Sequence, residues 1–368
     1  MGKILIVANV AKEHIIKFHI PTIKAFKDNG YQVDVACSGD EEVPYCDNQF
    51  HTCWKRSPFT FKTIKGIKEL KGIIDNGNYD IVFCHTPVGG LVARMAAKSA
   101  RKKGTKVVYC AHGLHFFKGA PKINWLIYYP IEKYLARYTD VFFAVNQQDY
   151  ELVKEKFNKK MKVELVPEVG VNFDRLKIED KALARKEYRE LLNIKDGTTA
   201  LIYVAELLPN KNQTMLIDTL CLLKEQNEDV CLILPGPDYT DGGYRKYAEE
   251  KGVADSVTFL GWRNDIGELM SACDICTASS IREGFGINLV EAMYCGLPVV
   301  ATGNRGHVTV ITDGENGFLV DVNDYVSMAQ RVKELIHNDE LRKKMSNLDV
   351  SKYDCNLIAQ ELYSRLTE

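Results

Sequence analysis

The sequence of 368 residues contains no long apolar run and carries almost no net charge. Its most apolar stretches extend over about five to nine residues, whereas a membrane-spanning helix needs about 20, so we expect no spanning segment. With a net charge of -1 and 46% hydrophobic residues, the chain is too apolar and too nearly neutral to be intrinsically disordered. The opening residues, MGKILIVANV, have too short an apolar run for a signal peptide and no small-residue cleavage site.

The 11 cysteines form no disulfide or metal-binding pattern. Their number is odd, and most of them lie inside apolar runs, where a reduced cytosolic protein buries small thiols. Cys273 and Cys276 form a lone CxxC pair, and no second pair follows at a zinc-finger spacing. The sequence therefore predicts neither a disulfide framework nor a zinc or redox site at these cysteines.

The small net charge conceals two halves of opposite sign. Residues 1–175 contain 27 Lys and Arg against 18 Asp and Glu, and residues 176–368 contain 21 against 31. A basic half is typical of a protein that meets a polyanion or an anionic surface. Two domains with differently charged solvated faces would give the same counts, so the asymmetry alone leaves both interpretations open.

Strand-like apolar runs alternate with helix-like segments, which predicts an α/β fold with doubly wound parallel sheets. KILIVAN at 3–9 is the first such run, and TTALIYVAEL at 198–207 begins a second series after a polar stretch. The predicted segments are an N-terminal domain at 1–172, a linker at 173–197, a second domain at 198–352 and a C-terminal helix at 353–368 that packs back toward the N-terminal domain. In open α/β sheets, ligands bind at the carboxyl ends of the strands, so functional residues are sought there.

The strongest candidate site follows a predicted strand of the second domain. The segment at 279–302 reads SSIREGFGINLVEAMYCGLPVVAT, with Glu283 and Glu291 on either side of Gly284 and Gly286. Glycines let the backbone approach a ligand closely, and the helix that follows directs unpaired N–H groups toward the loop, which suits a diphosphate. Carboxylates suit sugar hydroxyls because they only accept hydrogen bonds. A buried helix with a glycine-rich start and two capping glutamates would have the same pattern.

As a whole, this segment resembles the donor-site signature of the retaining GT-B glycosyltransferases, specifically glycosyltransferase family 4. The resemblance implies two Rossmann-like domains that face a central cleft, and transfer from a nucleotide sugar with retention of anomeric configuration. It also implies that Glu283 holds sugar hydroxyls, that the loop amides hold the diphosphate and that Glu291 holds the ribose. The donor-site residues that it assigns are Glu283, Gly284, Phe285, Gly286, Ile287 and Glu291.

Other strand ends carry residues that the resemblance assigns to the same reaction. A lone histidine is more often structural, but His112 follows a predicted strand, precedes a glycine and matches the family's histidine near the donor sugar. Lys211 follows the first strand of the second domain, where a cation neutralises the departing diphosphate. Many relatives have an arginine at the place of Glu206, so one usual phosphate cation is absent. Arg263 lies where the family holds the base, and Arg305 is a candidate substitute cation.

The resemblance implies no cofactor and no metal. Helix amides and Lys211 would act on the diphosphate in place of a metal ion, and the sequence lacks a DxD triplet. The nucleotide sugar, in the first place a UDP-sugar, is then a substrate.

The acceptor side departs from the family's commonest pattern. Many relatives have a glycine pair after the first strand, whereas this chain has NVAKEHIIKFHIP at 9–21. The acceptor-side candidates, named by position only, are Lys12, His14, Phe18, His115 and Lys118. The segment CAHGLHFFKGAPKINWLIYYPIEKYLARYTD at 110–140 resembles bacterial enzymes that build capsular or exopolysaccharide repeat units on a lipid carrier. It implies a polyprenyl-diphosphate-linked saccharide as acceptor and a peripheral position on the cytoplasmic face of the membrane.

Two stretches bear on binding to an anionic membrane surface. In FKTIKGIKELKGII at 61–74, apolar residues recur at helical spacing beside Lys62, Lys65, Lys68 and Lys71, with Trp54, Lys55 and Arg56 shortly before. PKINWLIYYP at 121–130 groups Trp125, Tyr128 and Tyr129 near basic residues. Basic amphipathic helices and interfacial aromatics bind anionic bilayers. An apolar stripe packed on the sheet, with its lysines solvated, would have the same pattern.

Three other functions are distinguishable in principle. A nucleotide-sugar 2-epimerase on the same fold would consume its donor without an acceptor. A non-catalytic nucleotide-sugar-binding subunit would bind the donor and transfer nothing. A dinucleotide oxidoreductase needs GxGxxG after the first strand, where this chain has no glycine. Nucleic acid is not an expected partner, because no recognition module is present in the sequence.

Overall fold

The structure, a computed structural model, describes residues 2–54 and 60–368. The first of its two compact units contains the chain up to Gly170 together with Cys355–Glu368, and the second contains Val171–Asp354. Each unit is built on one parallel sheet, which confirms the predicted α/β fold class with two parallel-sheet domains. No helix among the described residues is long and apolar enough to cross a membrane.

The sheet of the first unit has seven strands. They are β1 (Lys3–Val10), β2 (Gln32–Ser38), β3 (Asn48–His51), β4 (Ile81–His85), β5 (Lys106–Ala111), β6 (Val141–Ala144) and β7 (Lys162–Leu165), in the order β3-β2-β1-β4-β5-β6-β7. The helical segments are a π-helical stretch (Ala11–His19), α1 (Ile20–Asp28), α2 (Phe61–Gly77), α3 (Pro87–Ala96), α4 (Lys98–Arg101), α5 (Lys122–Leu135), a 3₁₀ turn (Ala136–Tyr138), α6 (Gln147–Lys156) and the C-terminal helix, numbered last. The central strands are buried along nearly their whole length, as expected for a parallel sheet covered on both faces.

The second unit repeats this plan with six strands. They are β8 (Thr199–Ile202), β9 (Val230–Pro235), β10 (Val257–Gly261), β11 (Ile275–Ala278), β12 (Val299–Thr302) and β13 (Phe318–Val320), in the order β10-β9-β8-β11-β12-β13. The helices are α7 (Lys181–Leu191), α8 (Gln213–Glu225), α9 (Gly243–Glu250), α10 (Ile266–Ala272), α11 (Ile287–Tyr294), α12 (His307–Val310), α13 (Tyr325–His337) and α14 (Asp339–Ser346), with 3₁₀ turns at Phe173–Leu176, Pro209–Lys211, Ala254–Ser256 and Ser351–Tyr353. In both sheets, adjacent strands place their following loops at one edge, and these loops carry the candidate residues.

The C-terminal helix, α15 (Cys355–Thr367), packs against α1 of the first unit. The rings of Phe26 and Tyr363 lie 5.1 Å apart, and Arg365 forms an ion pair with Glu164 of β7. The chain therefore leaves the first unit after Gly170 and returns to it with this helix.

Residues 173–197, predicted as a linker, lie within the second unit instead. Helix α7 packs against α10, and the guanidinium of Arg185 donates hydrogen bonds to the carbonyls of Ser271 and Cys273, each at 3.0 Å. The same guanidinium pairs with Asp274 at 2.6 Å. The polar composition of this segment belongs to a helix anchored through its cationic side chains, not to a free connection.

Sequence patterns missed two short edge strands and the break in one helix. β3 reads NQFH and β13 has three residues, so neither is long or apolar enough to produce a clear period-2 signal. The helical segment after β1 is wound as a π-helix up to His19 and as an α-helix from Ile20. Apolar periodicity does not resolve that change of winding.

A buried ion pair joins α3 to α5 in the first unit. Arg94 is fully buried, and its guanidinium donates two hydrogen bonds to the Glu132 carboxylate at 2.8 and 3.1 Å. It also lies over the Tyr109 ring, 3.8 Å from the centroid. Removing one member would leave the other charge buried without its counter-charge, which is far costlier than losing an exposed pair.

We therefore expect Glu132→Ala to lower the free energy of unfolding of the first unit by about 3–5 kcal/mol. Urea titration, monitored by a spectroscopic signal that reports on the first unit, measures the change in the free energy of unfolding. Because a buried ion pair can be replaced by apolar side chains at little cost, the double variant Arg94→Met/Glu132→Leu should recover most of the loss. Equal losses in the single and double variants would contradict the ion-pair explanation.

The segments predicted for membrane contact are partly packed into the first unit. Trp54 is 1% exposed and lies against Gly66 of α2, so it is a core residue and not an interfacial one. Lys55 and Arg56 fall outside the described residues. Trp125, Tyr128 and Tyr129 are partly buried against the same core.

An exposed part of α2 nevertheless combines apolar and basic side chains. Leu70 and Ile74 are buried in the core of the first unit, whereas Phe61 is 92% and Ile64 is 58% exposed. The four predicted lysines, Lys62, Lys65, Lys68 and Lys71, are all exposed. On α5, Leu126 is 74% exposed. The predicted apolar stripe is thus buried in its second half and solvent-facing in its first.

Candidate active site

Three neighbouring strands of the second sheet bring the predicted donor-side residues to one edge. β8, β11 and β12 are adjacent and parallel. Lys211 follows β8, Glu283 follows β11 and Arg305 follows β12. The backbone N–H of Ile281 donates to the carbonyl of Asn210 at 2.8 Å, which ties the first two loops together. Residues far apart in the sequence therefore meet because their strands are neighbours.

Glu283 is the centre of this arrangement. Its carboxylate accepts hydrogen bonds from the Lys211 ammonium at 2.5 Å and from the Ser280 hydroxyl at 2.6 Å. The Ser280 oxygen lies 2.6 Å from the buried hydroxyl of Tyr203. The carboxylate is thus held from two sides, and the Glu283 side chain keeps about 19% of its surface accessible.

Glu283 is ionised at neutral pH in this setting. Burial raises the pKa of its carboxyl, but the Lys211 ammonium and the hydrogen bonds from Lys211 and Ser280 lower it more, so the pKa lies below its ordinary value. His307, buried beneath the same loop, has its pKa lowered to about 4 by burial, against an upward influence of Glu283. The loop therefore presents the anionic carboxylate of Glu283, and the imidazole of His307 behind it is neutral.

Two glycines shape the loop that begins α11. Gly286 has a φ of +146°, a conformation that side-chain-bearing residues rarely adopt. A Cβ on Gly306 would lie 2.3 Å from the Phe285 carbonyl oxygen and 2.7 Å from Glu283 Cβ, so the loop after β12 packs directly on the backbone of 283–285. The helix start offers N–H groups without intrahelical partners, which suits an anion.

We expect Gly306→Ala to displace the 283–285 loop and to lower kcat/KM for the predicted sugar transfer by about 100-fold, the scale of a misplacement of about 1 Å at a reacting centre. The matched control is Gly72→Ala, since a Cβ on Gly72 meets nothing within 4 Å. Steady-state kinetics of both variants measure the difference. Wild-type kinetics in Gly306→Ala would mean that the loop does not hold the donor.

The remaining donor-side candidates are held by neighbouring groups of the second unit. Glu291, predicted to hold the ribose, is 4% exposed and pairs with Arg175. Arg263 pairs with Asp265, with its Nε donating at 2.8 Å. The Arg305 Nε donates to the Glu283 carbonyl at 3.3 Å, which places this candidate cation beside the loop. Their roles toward a donor stay predictions.

The first unit places His112 in a cluster of four histidines. His112 Nδ1 is hydrogen-bonded to the Glu168 carboxylate, and its Nε2 lies 3.2 Å from His85 Nδ1. His14 Nε2 lies 3.1 Å from His19 Nε2. The ligand atoms of the four imidazoles all lie within 4.8 Å of one another. Sequence reasoning named His112 and His14 but missed the other two, because no spacing rule links the end of β4 to the helix after β1.

Three of these imidazoles, those of His14, His19 and His85, are neutral at physiological pH. Burial and the neighbouring His112 lower the pKa of His14 to about 3. Burial also lowers the pKa values of His19 and His85 well below their ordinary range, with further contributions from the other rings. His112 therefore lies beside three uncharged imidazoles, and its action on the donor sugar stays a prediction.

A cavity of about 360 Å³ opens beside this cluster. Its lining includes His14, His115, Tyr128, Ile131 and Glu132. Two of the acceptor-side candidates, His14 and His115, therefore contribute to one cavity. The other three do not line it: Lys12 and Lys118 are exposed and Phe18 is half-buried.

Comparison with known proteins identifies the family. Residues 3–146 match the family model "Glycosyl transferase 4-like", and residues 184–348 match "Glycosyl transferases group 1". EpsD of Bacillus subtilis (strain 168), a protein named as a glycosyltransferase, is 42% identical over 343 residues, which cover 93% of this chain and 90% of EpsD. The chain is a glycosyltransferase of this family.

Two further comparisons concern the fold and more distant relatives of the glycosyltransferase. The crystal structure of HepE from Anabaena in complex with UDP and glucose matches with a TM-score of 0.80 at 21% identity over 100% of both chains, in agreement with the GT-B fold. The Escherichia coli enzyme named UDP-Gal:alpha-D-GlcNAc-diphosphoundecaprenol alpha-1,3-galactosyltransferase is 26% identical over 72% of this chain and 68% of its own length.

Proposed function

We propose that this glycosyltransferase moves a sugar from a UDP-sugar to a polyprenyl-diphosphate-linked saccharide, with retention of configuration, in the synthesis of a bacterial surface polysaccharide. The observation that carries the proposal is the Lys211–Glu283–Ser280 arrangement at the start of α11. The second unit would bind the donor, and the first would bind the acceptor.

The donor site offers one partner for each part of a nucleotide sugar. The ionised Glu283 carboxylate accepts hydrogen bonds from sugar hydroxyls. The N–H groups at the start of α11 receive the diphosphate, and Lys211 and Arg305 supply positive charge as it departs. Arg305 would replace the arginine that many relatives have at Glu206, whose own side chain is exposed. No metal is needed for this step.

Retention and a lipid-linked acceptor are supported by the Escherichia coli relative. Its name gives a UDP-sugar donor, a diphosphoundecaprenol-linked acceptor and an alpha product. Because UDP-galactose carries its sugar in the alpha configuration, an alpha product means retention. EpsD, a bacterial protein named as a glycosyltransferase, is 42% identical over almost the whole chain, which supports sugar transfer in a bacterium.

The donor is tested by thermal shift of the purified full chain with UDP-glucose, UDP-galactose, their N-acetyl forms, GDP-mannose and dTDP-sugars. A bound ligand raises the unfolding temperature in proportion to the logarithm of its excess over Kd, so a UDP-sugar should give the largest shift. That donor is then incubated with a polyprenyl-diphosphate saccharide. Transfer supports the proposal, consumption without an acceptor indicates a 2-epimerase, and binding without either reaction indicates a non-catalytic subunit.

An anionic membrane surface is the third proposed partner, through the exposed face of α2. We expect the variant with Lys62, Lys65, Lys68 and Lys71 changed to Gln to bind vesicles that contain phosphatidylglycerol more than tenfold more weakly, since each lysine near such a surface contributes about 1 kcal/mol. Vesicle sedimentation measures the binding. The matched control changes four exposed lysines of the same unit, Lys154, Lys156, Lys159 and Lys160. Equal losses in both variants would remove α2 from the proposal.

A further inference from the structure

We propose that His14, His19, His85 and His112 bind one divalent transition-metal ion, with Zn²⁺ as the ion that the ligand set fits best. Four imidazoles supply four nitrogen ligands, the number that a closed tetrahedral zinc site uses. Imidazole is also a ligand for Cu²⁺ and Ni²⁺, which prefer square-planar or tetragonal sites. The Co²⁺ spectrum in the test below shows whether the site is tetrahedral. All four histidines belong to the first unit, and the proposal does not depend on the diphosphate site of the second unit.

The four histidines meet because three adjacent strands end at one edge of the first sheet. β1, β4 and β5 are neighbours: His85 ends β4, His112 follows β5, and His14 and His19 lie in the π-helical segment that continues β1. The ligand atoms lie within 4.8 Å of one another. Zn–N bonds of about 2.0–2.1 Å require ligand atoms roughly 3.3 Å apart, so small side-chain rotations complete the shell.

The winding of residues 11–19 is what pairs the first two histidines. In an α-helix of 3.6 residues per turn, His14 and His19 would point about 140° apart. A π-helix has i→i+5 hydrogen bonds, so residues five apart lie on one face, and the two Nε2 atoms are 3.1 Å apart. π-helical turns are rare, and those that do occur often lie at functional sites. The π-helical winding therefore brings His14 and His19 together, which an α-helix could not do.

Glu168 gives the cluster the partner that metal-bound histidines usually have. Its carboxylate accepts the Nδ1 hydrogen of His112, which leaves the His112 Nε2 lone pair directed at His85. A carboxylate behind an imidazole orients the ring and makes it a better metal ligand. Glu168 adopts a φ of +59°, and Thr86, next to His85, adopts +63°. Such conformations cost about 1–3 kcal/mol each and occur where the surroundings impose them.

One ring nitrogen of the cluster, His85 Nε2, is buried without a hydrogen-bond partner among the described residues. Because His112 Nε2 has no hydrogen in that tautomer, His85 Nδ1 must donate to it. His85 Nε2 is then a lone pair, and it is buried without a hydrogen-bond partner among the described residues. His19 and His85 are each 1% exposed, whereas His14 and His112 are partly accessible, which provides a path for an ion. The hydrogen bonds of the cluster therefore leave the His85 ring with a lone pair that no described residue satisfies.

The test is a Zn²⁺ titration of the metal-stripped full chain against a chromophoric chelator, followed by the absorption spectrum with Co²⁺. We expect one Zn²⁺ per chain with a submicromolar Kd and the intense visible bands of tetrahedral Co²⁺. Glu168→Gln should weaken binding about 10–100-fold, and His14→Gln and His19→Gln should weaken it further. The control is His51→Gln, because His51 is an exposed histidine of the same unit outside the cluster.

Two outcomes would overturn the site: no stoichiometric binding by the folded wild type, or binding that His14→Gln and His19→Gln leave unchanged. The wild-type titration decides even where a buried variant fails to fold. Because no donor or acceptor enters the titration, its failure leaves the proposed transfer reaction untouched. Stoichiometric binding would assign His112 Nε2 to a metal and away from the donor sugar.

Discussion

Replacing Glu283 with alanine should reduce sugar transfer by about 1000-fold or more while the second unit stays folded. The largely buried carboxylate is held by a fixed cation and a hydroxyl donor, and removing one preorganised electrostatic group costs about 100–1000-fold even where others remain. Single-turnover kinetics with the donor found by thermal shift measure the loss. Glu315→Ala, an exposed glutamate of the same unit, serves as the control.

The pH dependence of transfer follows from the same carboxylate. Because the pKa of Glu283 lies below its ordinary value of 4.5, the group is ionised throughout the neutral range. Its contribution to stability is present above that ordinary value and is lost as pH falls through the lower, folded-state value. We therefore expect no titration of Glu283 in the rate profile above pH 5. Full activity in Glu283→Ala would refute its assignment to the donor.

Lys211→Ala should lower turnover by about 100–1000-fold, the cost of one electrostatic stabiliser of the departing diphosphate. The change also removes the cation that lowers the pKa of Glu283, so burial would then raise that pKa. We expect the acid limb of the rate profile to move to higher pH in this variant. Lys211→Arg keeps the charge and should retain more activity than the alanine variant.

Lys211 and Glu283 contact each other, so the losses of activity from replacing each of them should not add. The two side chains are in direct contact at 2.5 Å, and contacting residues commonly show coupling energies of 0.5–3 kcal/mol. The double variant is therefore expected to lose less than the product of the single losses. An unchanged turnover in Lys211→Ala would move the phosphate role elsewhere, with Arg305 as the next candidate because it contacts the same loop.

The glycine-containing loop at 283–286 and the helix after it were predictable from the sequence because their signal is local. The glycines that permit the backbone path, the helix that starts after them and the flanking glutamates all lie within 279–302. The apolar runs predicted the two parallel-sheet domains for a similar reason, since a strand buried on both faces is apolar along its length. Ser280 and Tyr203, which support Glu283, carry no such signal.

Membrane and linker predictions depended on which face of a segment is covered, and composition does not specify that. Trp54 and Leu70 are core residues, although their neighbours in the sequence are basic or exposed. Residues 173–197 are polar, yet Arg185 anchors them to the second unit. In each case the deciding contacts come from residues distant in the chain.

The sequence by itself determined the strand–helix alternation, the two sheets and the glycine-containing loop at Glu283, because each is encoded in contiguous residues. Only the tertiary structure decided that His19 and His85 join His14 and His112. Parallel strands bring separate chain segments to one edge, and π-winding turns residues five apart onto one face. Neither the neighbours of a strand nor a change of helical winding is written in local periodicity.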